Sequence, residues 1–131
     1  MKVVLNDFPG LAAVMIKAAC ESLMAAESTL TKYDWITWDS DCGLTMERGA
    51  KELLSRLESK SLDTSHPVPL FLNMADAVSA SMGGTSGVLI ELMLRTMSTF
   101  LNSSDAVDVD AKRLAEVFHG RSESHVLLWW C

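Results

Sequence analysis

DCGLTMERGAKELLSRLE, residues 41–58, decides the fold. Met46, Ala50, Leu53, Leu54 and Leu57 recur at i, i+4, i+7, i+8 and i+11, an apolar stripe with the period of an α-helix. Glu47, Arg48, Lys51, Glu52 and Arg56 fall on the opposite side. Asp41 stands just ahead of Gly43, where a short acidic side chain can cap a helix start. A helix with one apolar stripe needs other apolar faces to cover it, so the neighbouring segments settle the architecture.

Downstream, SKSLDTSHPV at 59–68 reads as a polar loop carrying Pro67, with Pro69 just beyond. The spacing predicts a helix over 70–82, with Ala75, Val78 and Met82 inward. GGTSG at 83–87 breaks it, and a further helix is predicted over 88–101. That helix is apolar on nearly every face, with Glu91 and Arg95 as an i,i+4 pair. After a turn at 103–108, Asp108 or Asp110 can cap a last helix to about Phe118. Upstream, Asn6 or Asp7 can cap a helix with Pro9 in its first turn, running from Leu11 to about Ser28 with Cys20 in its core face. Between these, Thr29, Thr31, Thr37 and Ser40 argue against a helix over 29–42, and residues 34–39 alternate like a strand. The expected fold class is all-α, an antiparallel bundle of about five amphipathic helices.

The composition narrows the function. A chain of 131 residues with 49% hydrophobic content and a mean hydropathy of +0.20 is one globular domain able to bury a core. A net charge of −6 and a pI of about 4.9 exclude the basic stripe of a nucleic-acid surface. No apolar run reaches the ~20 residues that span a bilayer, and the start, MKVVLNDFPG, does not read as a signal peptide, so no membrane role is expected. Cys20, Cys42 and Cys131 fit neither zinc-ligand spacing nor a paired disulfide framework, which points to a reducing, cytoplasmic setting.

Two motifs carry chemistry. In YDWITWDSDCG, Asp34, Asp39 and Asp41 crowd together, and close carboxylates repel one another unless a cation sits among them. Hard carboxylate oxygens suit Mg²⁺, which commonly shares its shell with substrate phosphates. A solvated acidic turn with Asp41 as a cap accounts for the spacing about as well. An EF-hand does not, since no Glu closes the loop. An apolar strand ending in Asp-x-Asp, as in haloacid dehalogenase-like phosphatases, would need a parallel sheet whose other strands are missing from the pattern. The second motif, GGTSG, offers backbone N–H groups at a helix start for an anion, with Thr85 and Ser86 as further donors. It also reads as a plain helix–helix turn, and it is not a Walker A loop. His66, His119 and His125 fall in or near loops and read as solvated. Trp35 and Trp38, flanking the aspartates, read as core more readily than as base-stacking platforms.

Taken in order, Tyr33-Asp34, then Trp38-Asp39-Ser40-Asp41-Cys42-Gly43, then Gly83-Gly84-Thr85-Ser86-Gly87 resemble the motifs of the C-terminal nucleotide-binding domain of dihydroxyacetone kinase. This is the DhaL or Dak2 domain, also found in triokinase/FMN cyclase. The resemblance covers roughly residues 10–118. It implies a barrel of antiparallel helices in which Asp34, Asp39 and Asp41 bind Mg²⁺ ions that clamp the phosphates of ATP. It further implies that Cys42, Gly43, Leu44 and Thr45 line the phosphates at one helix start, and Thr85 and Ser86 at another. The expected function is the ATP-binding part of a Mg²⁺-dependent dihydroxyacetone (glycerone) kinase in glycerol metabolism. ATP or ADP and Mg²⁺ are the implied cofactors, and a separate DhaK-type substrate domain is the implied partner. Homo-oligomers are a further expectation. The alternatives are a fragment of a triokinase/FMN cyclase, or a non-catalytic helical remnant that binds partner helices. Trp38 and Ser40 replace the two glycines that flank the central Asp in the family motif. RSESHVLLWWC has no counterpart, so the sequence divides into a partial domain at 1–118 and a divergent tail at 119–131, an apparently truncated and incomplete barrel.

Overall fold

The computed structural model describes residues 7–35 and 41–102, together with Lys112 and Ala115; Asp34 is described by its backbone. The described residues form five helices and no strand: α1 Phe8–Ala25, α2 Glu27–Asp34, α3 Cys42–Glu58, α4 Pro67–Ser81 and α5 Gly84–Asn102. The fold is all-α.

The central helix α3 matches its expected bounds. It packs on α1, α2 and α4, while α4 packs on α5. Ala50 is buried, and Met46 and Leu53 with Leu57 reach two different core clusters. Outward, Glu47 pairs with Lys51 and Glu52 with Arg56, each at 2.7 Å. The end of α3 is a Schellman turn. The Lys60 N–H donates to the Leu57 carbonyl (3.2 Å) and the Ser61 N–H to the Arg56 carbonyl (3.0 Å). Lys60 takes φ 56° to close it. The turn delivers buried Leu62 to a cluster with Ala12 and Leu70.

Other elements differ from expectation. Asp7 does cap α1, accepting from the Gly10 N–H at 3.3 Å, but α1 ends at Ala25. A second helix then occupies 27–34, where threonines argued against one and where Asp34 was placed at the start of a strand. Its stability comes from tertiary packing against α3, reinforced by a Thr31 hydroxyl that donates to Glu27 Oε1 (2.8 Å). Helix α4 starts at Pro67, three residues early, because both prolines sit in the first turn where a missing N–H costs nothing. His66 is the cap, its Nδ1 accepting from the Val68 N–H (3.2 Å), so its ring is engaged with the backbone rather than merely solvated. Trp35 is 78% exposed, against the core reading. Trp38, His119, His125 and nearly all of the last predicted helix lie outside the described residues; Lys112 and Ala115 within it are helical and exposed. The described residues thus hold five helices, but one of them is the unexpected α2 and the last expected helix is not among them.

The remaining core joins α4 to α5. Ala75, Val78 and Met82 pack with Leu94, and Met97 with Leu101. Ser98 is buried and donates to the Val68 carbonyl (2.9 Å), which spares its hydroxyl an unpaired state. Cys20 is buried as expected, and burial pushes its thiol above the usual range, aided by nearby Glu21.

Candidate functional site

The head of α3 comes unusually close to α2. A Cβ on Gly43 would fall 2.5 Å from the Glu27 carbonyl oxygen and against the Thr31 hydroxyl, distances no side chain tolerates. Gly43 is buried there, and only glycine lets the two backbones meet. Asp41 occupies the N-cap position, and its carbonyl accepts from the Thr45 N–H (2.8 Å). Its carboxylate is exposed and makes no side-chain cap bond, a departure from the expected capping role. Asp34 is the last residue of α2. Asp39 and the Asp34 side chain lie outside the described residues, and among the described residues no three metal-ligating side chains converge.

Along the first turn of α3, Cys42 is half-buried, Leu44 is 49% exposed and Thr45 is buried. The glycine motif divides differently from its sequence. Gly83 (φ 64°) and Gly84 (φ 63°) turn the chain, and Gly84 with Thr85, Ser86 and Gly87 already belongs to the first turn of α5, where the Gly87 N–H donates to the Gly83 carbonyl (3.2 Å). Thr85 is exposed and Ser86 half-buried. Both chemistry-bearing motifs thus present helix N-termini, the positive ends of their dipoles.

Arg48 and Met82 join the two. The Arg48 Nη2 donates to the Thr45 hydroxyl (3.2 Å) and to the Met82 carbonyl (3.3 Å), the last residue before the glycine pair. The Met82 side chain is buried, and a Cβ on Gly49 of α3 would lie 2.7 Å from it. So the structure brings Thr45 and the root of the glycine turn together, and Asp41 lies one helical turn before Thr45. Sequence reasoning put Arg48 on the solvent face, and it is exposed there, but its two hydrogen bonds were not foreseen. Its i,i+3 spacing from Thr45 was legible, but the carbonyl it reaches is 34 residues away and depends on tertiary packing.

A family model described as the DAK2 domain matches residues 37–126. The match begins later than the expected residue 10 and runs past residue 118. A dihydroxyacetone kinase of Pichia angusta is 30% identical over 91 residues, covering 70% of this chain and 15% of that protein. Dihydroxyacetone kinase 1 of Saccharomyces cerevisiae is 33% identical over 92 residues, 70% of this chain and 15% of that one. A triokinase/FMN cyclase of Homo sapiens is 30% identical over 82 residues, 63% and 14%. The chain therefore spans about a seventh of the length of these relatives. No solved structure gives a significant match. The match to the family model takes in well over half of the residues, with Asp39, Asp41 and the glycine motif inside it and Asp34 just ahead of it, and the chain belongs to the DAK2 domain family.

Proposed function

We propose that this chain is the ATP-binding part of a Mg²⁺-dependent phosphotransferase of the dihydroxyacetone kinase type. The observation that supports this most is the tie from Thr45, in the first turn of α3, through Arg48 to Met82, the residue before the glycine pair, within a DAK2-family chain. Asp34, Asp39 and Asp41 are the proposed Mg²⁺ ligands. The donor set fits: carboxylate oxygens suit this cation, and the Asp41 carboxylate is exposed and not spent on a cap. When bound, the metal would neutralise phosphate charge. Cys42, Gly43, Leu44 and Thr45 would border the phosphates from α3, and Thr85 and Ser86 from α5. Burial gives two of these an indirect part, Gly43 by admitting α2 and Thr45 by holding Arg48. Phosphoryl transfer asks a protein mainly for positioning and charge neutralisation, which helix N-termini and carboxylate-held Mg²⁺ can supply.

In this reading dihydroxyacetone arrives on a separate DhaK-type substrate domain, the protein works in the cytoplasm, and neither a membrane nor a nucleic acid takes part. Titration calorimetry with Mg²⁺-ADP is expected to show binding that Asp39→Asn and Asp41→Asn each abolish. Ligand at a hundred times its Kd adds about 2.7 kcal/mol. On a chain of this size that raises Tm by about 10 °C. Absent heat, or heat indifferent to both substitutions, rejects the reading. The exposed apolar residues Leu11, Val14 and Met15 favour a second reading, a non-catalytic helical module that binds partner helices. Self-association at micromolar concentration without nucleotide binding would select it.

A further inference from the structure

The glycine pair leaves the head of α5 poorly anchored by its own residues. Gly83 and Gly84 have no atom within 4 Å of where a Cβ would stand, and both hold left-handed backbone that glycine enters and leaves cheaply. What fixes them is the residue before. Met82 ends α4, where a helix leaves its last carbonyls without an intrahelical acceptor bond and carries its negative dipole end. Its side chain is wedged between Gly49 of α3 and Gly87 of α5, with a Cβ on Gly87 falling 3.1 Å from the Met82 Cβ. Its carbonyl receives Arg48.

We propose that Arg48 is a positioning residue for the nucleotide site: it fixes the Gly83–Gly84 turn, and with it the head of α5, relative to the head of α3. The inference rests on the function proposed above. The two N–H groups of one guanidinium nitrogen, Nη2, donate to the Thr45 hydroxyl and the Met82 carbonyl, so one side chain satisfies both together. A lysine ammonium also has N–H groups for two acceptors, but it carries them on a flexible stem without the planar group that holds Nη2 in place. Arg48 need not touch a phosphate to matter. It acts through the angle between two helix N-termini that must both address one phosphate chain.

The test compares the full chain with Arg48→Met, which keeps the stem and removes the donors, and Arg48→Lys, which keeps the charge. Amide hydrogen exchange without ligand is expected to quicken at residues 83–87 in Arg48→Met, with 94–101 still protected. Mg²⁺-ADP affinity, measured where all three proteins are folded, is expected to fall about tenfold in Arg48→Met and by an intermediate factor in Arg48→Lys. Unchanged exchange at 83–87 overturns the proposal. So does equal affinity in Arg48→Met, and so does full recovery of affinity by Arg48→Lys, which would make Arg48 a charge rather than a brace. If Arg48→Met does not fold, Arg48→Lys against the parent chain carries the same exchange and affinity comparison. Should the parent chain bind no nucleotide while Arg48→Met still loosens 83–87, the proposed function falls and the positioning role stands.

Discussion

At the residue scale, two backbone positions carry opposite instructions. Lys60 holds φ 56°, where glycine is the usual choice for the C′ position of a Schellman turn. Left-handed backbone costs a residue with a Cβ roughly 1–2 kcal/mol, partly offset by the extra freedom glycine has when unfolded. Lys60→Gly is therefore expected to stabilise the chain by about 1 kcal/mol. Urea unfolding should show a higher midpoint at unchanged slope, and a lower midpoint would deny the turn. Gly43 is the reverse case. The sequence motif suggested a residue that makes room for phosphate, while the structure shows one that makes room for α2. Gly43→Ala is expected to cost 1–3 kcal/mol or so, as overpacking does, and to do so without any nucleotide present. A substitution that weakened binding yet left Tm untouched would restore the motif-based reading.

At the scale of elements, α3 and α4 were legible because an apolar stripe of helical period repeats information about one face. Helix α2 was not. Its eight residues include Thr29 and Thr31, whose propensity is poor, and what supports them is packing against the next helix, where Gly43 approaches Glu27 and Thr31. Propensity is a local quantity and could not see that contact. The head of α5 was hidden for a related reason: three of the five residues in GGTSG read as turn formers, yet two glycines suffice for the turn. Between α4 and α5 the Glu91–Arg95 pair was visible as i,i+4, but Arg95 also reaches Asp76 across the interface at 2.7 Å. The hydrogen bond from Arg95, with a second from Ser79, holds the Glu91 carboxyl below the usual carboxylate range. A depressed folded pKa stabilises above the unfolded value of about 4.3 and is lost as pH falls through the folded one. The Tm advantage over Glu91→Gln should thus be steady at neutral pH and shrink in acid below that range. An advantage that grew on acidification would contradict the assignment.

At the scale of the whole molecule, the site was legible as a list of residues and not as a place. Asp41 and the glycine pair could be named from their motifs and Thr45 from the family resemblance, but the brace that relates them, Arg48 to Met82, joins residues whose proximity only the packed bundle creates. The same scale governs α1. It is 18 residues long with a mean hydropathy of 1.3, long and apolar enough to cross a membrane by length and composition alone. Yet it has two different sides. Ala12 and Ile16 enter a cluster with Leu62 and Leu70, whereas Val14 and Met15 are 66% and 62% exposed. If α1 serves as the flank of a water-facing bundle, a charge on its outer side should be tolerated and a cavity on its inner side should not. Val14→Glu is expected to change unfolding free energy by less than about 0.5 kcal/mol, as surface substitutions do. Leu70→Ala, which empties the cluster that α1 leans on, is expected to cost about 2–5 kcal/mol. Urea melts of both variants against the parent chain decide the matter. A Val14→Glu chain that unfolds, or loses as much as Leu70→Ala, would mean that the outer side of α1 is covered in the folded protein.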